Sequence, residues 1–239
     1  MKPRRTFFLA LAALVCCSAS LAQTAAPIGA FSNGFCIRTI NGIIYAYPSA
    51  QGQKLDPAEV NALRTELEKM MEEDQKLRTQ LEEVEKKYGP DSKEVQALWK
   101  EQSEIDNRLL KRLEEIIAKY GWPGKSLVGA KASLAAFLII QHADYEYQKK
   151  YFPLIKEAMK KGEARPPDVA LLEDRILLRE GKKQTYGSQL RRNQTTGKLE
   201  LWPVEDEENI DKRRASVGLE PIAQYLERFG LTYTPPKKR

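Results

Sequence analysis

Cysteine and histidine are scarce in this chain. Its 239 residues include three cysteines and one histidine, together with 14 glycines and 13 prolines. Cysteine is too rare for a disulfide framework, and glycine and proline are too rare for a collagen-like protein. With 42% hydrophobic and 30% charged residues, the composition also excludes a multi-span membrane protein and a largely disordered chain. The length is typical of one domain, or at most two small ones, with a packed core.

The first 22 residues have the pattern of a secretory signal peptide. Lys2, Arg4 and Arg5 precede the apolar run 7–15, which is too short to span a bilayer as a permanent helix. A small-x-small cleavage sequence ends at Ala22. We therefore expect cleavage after Ala22, export to the periplasm or the extracellular space, and no membrane attachment afterwards.

Cleavage would change both the charge and the cysteine content. The removed segment holds three basic residues and no acidic residue, so the net charge falls from +6 to about +3. Such a small charge gives no support to nucleic-acid binding, and none is predicted. Cys16 and Cys17 leave with the segment, so Cys36 is left without an intramolecular disulfide partner. A lone cysteine in an apolar stretch is more often a small buried side chain than a nucleophile.

The mature chain divides into three parts. Residues 23–55 contain two alternating apolar runs around Asn41-Gly42, which is typical of a type I′ turn, and predict a small β-hairpin. Residues 56–228 form the predicted domain, which is single and mainly helical. Residues 229–239 are a basic tail that we expect to be solvated.

Two long helices begin the predicted domain. The first runs from Asp56 to about Tyr88 and the second from Ser92 to Tyr120, with apolar residues every three or four positions. Their short connection predicts an antiparallel helix hairpin over 56–120. The heptad-like spacing also makes this hairpin a candidate surface for a homodimer.

Shorter elements are predicted after the hairpin. Residues 126–159 are expected to be helical with a kink or break at Pro153, and their all-apolar run 135–140 indicates a central buried helix. Asp168 is the expected N-cap of a helix that ends at Gly181. The remaining predicted elements are two short strands, 184–186 and 199–202, and a last helix over 219–229.

These elements together define the predicted fold class, which is mainly α. A long antiparallel helix hairpin and further helices pack around a central apolar helix. A small N-terminal β-hairpin and short strands near 184–202 complete the prediction.

Six local patterns occur in order along the domain. They are Tyr120-Gly-Trp-Pro123, Gln141-His-Ala-Asp144, Glu173-Asp-Arg175, Gln184-Thr-Tyr-Gly-Ser-Gln189, Asp211-Lys-Arg-Arg214, and Gly218-Leu219 followed by Pro221 and Tyr225. Together they resemble the bacterial domain of unknown function family 6624 over residues 60–228. That family often has threonine where this chain has Ser188, which keeps the hydroxyl. The family is uncharacterised, so the resemblance implies boundaries but no reaction.

Polar side chains interrupt the apolar stripes of the predicted helices. Asp74 and Asp106 lie on the seams of the helix hairpin, and Gln141 and Gln148 lie along the central helix. A buried polar group must be paired, hydrated or functional. We therefore predict a shared polar pocket that binds a small polar or peptide ligand. The other candidate ligand-binding residues are Asp174, Gln184, Tyr186, Gln189 and Arg213.

His142 is the only histidine, and histidine is the side chain that titrates nearest neutral pH. As a catalytic base, His142 could be oriented by Asp144, Glu173 or Asp174. The alternative is a core histidine whose hydrogen bonds are satisfied within the fold. The sequence leaves both interpretations open.

Complete catalytic and metal-binding motifs are missing from the sequence. No HExxH spacing, paired CxxC or EF-hand loop is present, and no metal or cofactor is predicted, although one histidine with several carboxylates could hold a hard ion. No Gly-x-Ser-x-Gly elbow is present either. Ser188 is a candidate hydroxyl nucleophile, but a serine in a turn is the more common case.

Three functional hypotheses follow from these observations. The first is an exported helical binding module for a small polar or peptide ligand. The second is a His142-dependent hydrolase that uses the same pocket, so whether the protein is an enzyme stays open. The third is a structural or interaction protein that acts through the 56–120 hairpin.

Overall fold

Helices dominate the part of the chain that the structure describes. The computed structural model describes residues 35–40, 43–48, 55–193 and 195–234. Within these ranges the protein is mainly helical, as the sequence predicts. The signal peptide 1–22, the turn at Asn41-Gly42 and the tail residues 235–239 lie outside the described residues, so these three remain predictions.

Two strands precede the helices. Strand β1 (Phe35–Ile40) pairs antiparallel with β2 (Ile43–Pro48). In this register Phe35 lies opposite Pro48, and Ile40 lies opposite Ile43.

The two long helices are α1 (Pro57–Tyr88) and α2 (Lys93–Tyr120). Asp56 caps α1, because its side chain accepts a hydrogen bond from the N–H of Ala58, and Ser92 caps α2 by accepting one from Val95. Three of the ion pairs that cross between the helices show their relative direction: the closer the α1 partner lies to the end of α1, the closer the α2 partner lies to the start of α2. The helices are therefore antiparallel. These pairs are Glu59–Lys119, Glu66–Arg112 and Glu73–Arg108.

Four helices follow, α3 (Lys125–Val128), α4 (Ala130–His142), α5 (Tyr145–Lys160) and α6 (Pro166–Arg179). Helix α4 is central, since it packs against α1, α2, α3 and α5. The apolar seam of the helix hairpin belongs to this same core, where Leu67 and Leu113 are fully buried. A homodimer through the hairpin would therefore have to use its outer faces.

Pro153, where the sequence predicts a kink or break, does not break the helix, because α5 continues through that residue. The chain breaks instead at Ala143 and Asp144, whose ψ angles of 165° and 154° are extended. A second break separates α3 from α4 at Gly129, which has φ +86°. Residues 126–159 thus belong to three helices.

The start of α6 also differs from the prediction. Arg165 occupies the N-cap position and Pro166 the first helical position, so Asp168 lies in the first turn. Proline is common at the first helical position, where the N–H group that it lacks would have no partner within the helix. A carboxylate in the first turn, such as that of Asp168, interacts favourably with the helix dipole.

The last third of the domain contains strands β3 (Leu190–Arg192) and β4 (Leu199–Leu201), which pair antiparallel. The predicted strand 184–186 is wrong, since only Gln184 forms a β-bridge, with Val204. The N–H groups of Thr185 and Tyr186 bond to the Asp174 carboxylate instead of to a neighbouring strand.

Two short helices complete the fold, α7 (Ile210–Ser216) and α8 (Ile222–Glu227). The second is shorter than the predicted 219–229. A small hydrophobic cluster, distinct from the core around α4, holds this region together and consists of Val204, Ile210, Ile222 and Leu226. Among the described residues, every helix is too short or too polar to cross a membrane.

Candidate functional site

His142 and Asp74 form the centre of a polar cluster between α1, α2 and α4. The Nδ1 atom of His142 lies 2.9 Å from Oδ1 of Asp74, whose side chain is 1% exposed. The His142 side chain is 18% exposed, so the ring has one edge on a buried carboxylate and part of its surface open. Its Nε2 atom has no hydrogen-bond partner among the described residues.

Arg78 joins the two carboxylates that interrupt the helix seams. Its Nη2 atom lies 2.7 Å from both carboxylate oxygens of Asp106 and 3.4 Å from Asp74. Gln102 donates from Nε2 to Asp106 at 2.7 Å and to the backbone oxygen of Asp74 at 3.3 Å. The predicted polar layer between the long helices is therefore present. One of its other members, Gln102, lies with Asp106 along the apolar stripe of α2. The other, Arg78, was missed in the sequence, and its spacing of four residues from Asp74 is the signal that could have found it.

The environment of Asp74 keeps its carboxyl ionised. Burial alone would raise its pKa, but the hydrogen bond and charge of His142, followed by the charge of Arg78 and a hydrogen bond from Gln75, outweigh burial. The pKa of Asp74 is consequently below its ordinary value. Because an ionised carboxylate can only accept a hydrogen bond, Nδ1 of His142 carries a hydrogen and is the donor in this contact.

Gln141 and Gln148 extend the polar cluster towards α6. The backbone oxygen of Gln141 accepts hydrogen bonds from Gln148 Nε2 at 2.9 Å and from Arg175 Nη1 at 3.0 Å. Both glutamine side chains are buried, and their amide oxygens have no partner among the described residues. Buried acceptors of this kind are uncommon in folded proteins, so they mark a place where water or a ligand group could bind.

Asp174 organises a second cluster, in the loop that follows α6. Its fully buried carboxylate accepts backbone N–H groups from Thr185 at 2.7 Å, Tyr186 at 3.0 Å and Ser188 at 2.9 Å. Gln184 supports the same loop, because its amide donates to the backbone oxygens of Gln189 and Trp202. Asp174 and Gln184 therefore use their polar atoms to hold the loop.

Two adjacent arginines of α7 also form hydrogen bonds to this loop. Arg214 is 1% exposed, donates to the backbone oxygens of Tyr186 and Glu220, and lies 4.9 Å from the centre of the Tyr225 ring. Burial lowers the pKa of Arg214 despite the nearby acidic groups. Arg213 donates to the backbone oxygens of Thr185 and Glu205 and pairs with Asp206 at 3.1 Å.

Ser188 has the contacts of a structural residue. Its side chain is buried, and its hydroxyl oxygen accepts a hydrogen bond from Gln189 Nε2 at 3.1 Å. Its backbone oxygen accepts one from the Tyr225 hydroxyl at 2.6 Å. Within the described part of the chain, no histidine or carboxylate side chain bonds to the hydroxyl as a base would.

A cavity of about 470 Å³ opens beside these clusters. Its lining residues come from α6 and from the loop and strands after it, and they are Arg175, Leu178, Arg179, Gln189, Leu190 and Trp202. Arg175 also reaches Gln141, so this one side chain contacts the polar cluster and borders the cavity. Burial lowers the pKa of Arg175, and the charges of Arg179 and Arg78 lower it further.

The structure distributes the predicted site residues over two places. Five of them, with Arg175 beside them, belong to the polar cluster, which consists of Asp74, Asp106, Gln141, His142 and Gln148. Five others belong to the second cluster, Asp174, Gln184, Tyr186, Gln189 and Arg213, and only Gln189 of these also lines the cavity.

Two candidate partners of His142 are placed elsewhere. Asp144 is exposed at the N-cap of α5, and Glu173 lies 3.3 Å from Lys156. The described hydrogen-bond partner of His142 is Asp74, which the sequence indicated as a ligand-binding residue. Among the described residues, His, Cys, Asp and Glu form no group of three that could hold a metal ion.

Fold and clusters together define a mainly helical domain with a histidine–carboxylate pair inside and an arginine-lined cavity beside it. The chain belongs to the family of unknown function DUF6624, whose model matches residues 61–234. This confirms the resemblance seen in the sequence. Comparisons with curated proteins and with solved structures gave no match.

Proposed function

We propose that this protein is an exported binding module that holds a small polar ligand in the cavity beside Arg175. The cavity itself carries the proposal, because about 470 Å³ lies within the usual range of small-molecule sites. Its lining has the mixture that such sites use, with apolar walls from Leu178, Leu190 and Trp202 and a few polar groups.

Export is supported by the signal-peptide pattern of residues 1–22. The test is expression of the full chain in a bacterium, followed by cell fractionation and sequencing of the N-terminus of the purified protein. We expect a chain that begins at Gln23 in the periplasmic or the medium fraction. A cytoplasmic chain that begins at Met1 would contradict export.

Ligand binding is tested by thermal unfolding of the purified protein against amino acids, short peptides, sugars and small organic acids. We expect one class to raise the melting temperature in a saturable way. Gln189→Leu should reduce the shift, since Gln189 lines the cavity. Gln96→Leu is the matched control, because Gln96 is exposed on α2. A panel without any shift would count against the binding function.

His142-dependent hydrolysis is the second candidate function. The pair of His142 with buried Asp74 favours it, since a carboxylate that holds Nδ1 leaves Nε2 to act as a base. We would assay ester, peptide and glycoside substrates with the wild type, His142→Gln and Asp74→Asn. A hydrolase of this kind loses activity in both variants. Activity that survives in His142→Gln would exclude the histidine as the base.

A further inference from the structure

We infer that the cavity beside Arg175 takes an anion, a small molecule with a carboxylate or phosphate group attached to an apolar group. The inference rests on the proposed binding function, because it names the ligand class for the same cavity. It stands on the charge of the lining, on the apolar walls and on the unused hydrogen-bonding capacity of Arg175.

Positive charge at this cavity is uncompensated. Arg175 and Arg179 are one helical turn apart on α6, and both line the cavity. Neither forms an ion pair with any carboxylate among residues 55–193 and 195–234, although most of the arginines described there do. Two like charges at this spacing repel each other, so an anion bound between them would be stabilised.

The acidic neighbours of Arg175 on α6 are used elsewhere. Glu173 pairs with Lys156 at 3.3 Å, and the Asp174 carboxylate is bonded to backbone N–H groups of the following loop. The lowered pKa of Arg175 agrees with this arrangement, since burial first, and then Arg179 and Arg78, disfavour its charged form. A bound anion would favour the charged form of Arg175 and so raise its pKa again.

Arg175 keeps donors for a ligand. A guanidinium has five N–H donors, and the hydrogen bond that the structure describes, to the backbone oxygen of Gln141, uses one. This hydrogen bond also fixes the position of the side chain. A positioned guanidinium can bind a carboxylate or a phosphate through two parallel hydrogen bonds.

Apolar walls indicate what else the ligand carries. Leu178, Leu190 and Trp202 line the cavity, and the Trp202 ring lies against the guanidinium of Arg191, 4.5 Å from its carbon atom. Burying apolar surface of the ligand on these walls strengthens its binding in proportion to the area removed from water. A small, strongly hydrated ion gains nothing from them, so we expect inorganic phosphate to bind weakly.

The test is isothermal titration of the purified full chain with four unbranched probes that each contain six carbon atoms. Hexanoate and hexyl phosphate carry the anion, hexanamide is neutral and hexylammonium is a cation. We expect the better anion to bind roughly 10- to 100-fold more tightly than hexanamide, as for a charge-assisted hydrogen-bonded pair. Which anion binds better identifies carboxylate or phosphate as the group recognised.

Variants then assign the binding to the two arginines. Arg179→Met and Arg175→Met should each weaken anion binding roughly tenfold or more, whereas Arg175→Lys should keep part of it. Arg108→Met is the control, because it removes the same charge from an exposed site on α2. Circular dichroism of Arg175→Met shows whether it is folded, and Arg179→Met tests the inference independently since Arg179 is exposed.

The outcomes separate the inference from the proposed function. If hexanamide binds as tightly as the anions and both arginine variants bind normally, the anion inference is overturned while ligand binding in the cavity stands. If Arg108→Met weakens binding as much as Arg179→Met, the attraction comes from overall charge and the inference also fails. If none of the four probes binds, both the inference and binding in this cavity are contradicted.

Discussion

His142 Nδ1 lies 2.9 Å from Asp74 Oδ1, and this contact joins the last residue of α4 to the middle of α1. The carboxylate is 1% exposed and also faces Arg78 at 3.4 Å. A buried ion is expensive unless it is paired and hydrogen-bonded, so these contacts are what make the charged Asp74 compatible with the fold.

Replacing Asp74 with asparagine should change how stability depends on pH. The pKa of Asp74 is lowered in the folded protein, so the carboxylate stabilises the fold above the ordinary pKa near 4, and this contribution is lost as the pH falls through the folded value. At pH 7 we expect Asp74→Asn to reduce the free energy of unfolding by about 1–3 kcal/mol. Urea unfolding from pH 7 to pH 2 measures the difference.

The neighbouring residue provides the control for that experiment. Glu73→Gln removes a carboxylate whose side chain is 50% exposed in its ion pair with Arg108, so it should shift stability by less than about 1 kcal/mol. A stability difference between Asp74→Asn and the wild type that stays constant down to pH 2 would show that the Asp74 carboxylate makes no ionisation-dependent contribution.

Removing the Asp174 carboxylate should be one of the costliest single changes in the domain. The side chain is fully buried and accepts backbone N–H groups from three residues of one loop, so Asp174→Ala leaves those donors without their acceptor. We expect a loss of about 3 kcal/mol or more in chemical denaturation. Glu173→Ala is the matched control and should cost much less. A loss below about 1 kcal/mol for Asp174→Ala would mean that the loop finds other acceptors.

The sequence predicted the elements whose signals are local. Asp56 and Ser92 are capping residues beside long apolar periodicities, so α1 and α2 could be located closely from their own residues. Interruption of the seams by Asp74 and Asp106 indicated the polar layer for the same reason. Membership of the family followed from the order of several short motifs.

The parts that the sequence did not predict depend on contacts between distant residues. Arg175 is a long side chain, and nothing in the spacing of α6 shows that it reaches Gln141, 34 residues earlier. The strand at 184–186 was wrong because the Asp174 carboxylate, rather than a strand, binds its N–H groups. The end of α4 was missed because no glycine or proline marks it, and the helical spacing of Phe137, Gln141 and Gln148 continues across the extended residues Ala143 and Asp144.

Arg214 should not tolerate replacement by lysine. Its guanidinium donates to two backbone oxygens, of Tyr186 and Glu220, and lies over the Tyr225 ring while 1% exposed. A lysine ammonium is a compact charge that cannot reproduce this planar fork, so we expect Arg214→Lys to lose about 1.5–3 kcal/mol of stability. Arg228→Lys is the control, since Arg228 is 67% exposed in its pair with Glu220. Equal melting temperatures for the two variants would contradict the role given to Arg214.

A comparison of Gly187 with Gly197 separates the cost of backbone strain from the cost of steric crowding. Both have positive φ, +68° and +67°, so alanine at either position costs roughly 1–2 kcal/mol from the backbone alone. At Gly187 an added Cβ would lie 2.9 Å from Cδ1 of Ile210 and 3.0 Å from Cδ1 of Ile222, whereas at Gly197 it would meet no atom of the described residues within 4 Å. We expect Gly187→Ala to lose about 1–3 kcal/mol more than Gly197→Ala in urea unfolding, which is the usual cost of overpacking.

A double variant tests the cause of that extra loss. Ile210→Val removes the Cδ1 atom nearest to the added methyl group, so its combination with Gly187→Ala should lose less than the sum of the two single variants. The combination of Ile210→Val with Gly197→Ala should be additive, because that glycine has no such contact. Additive losses in both pairs would show that Ile210 moves aside freely, and the requirement for glycine at position 187 would then rest on its positive φ alone.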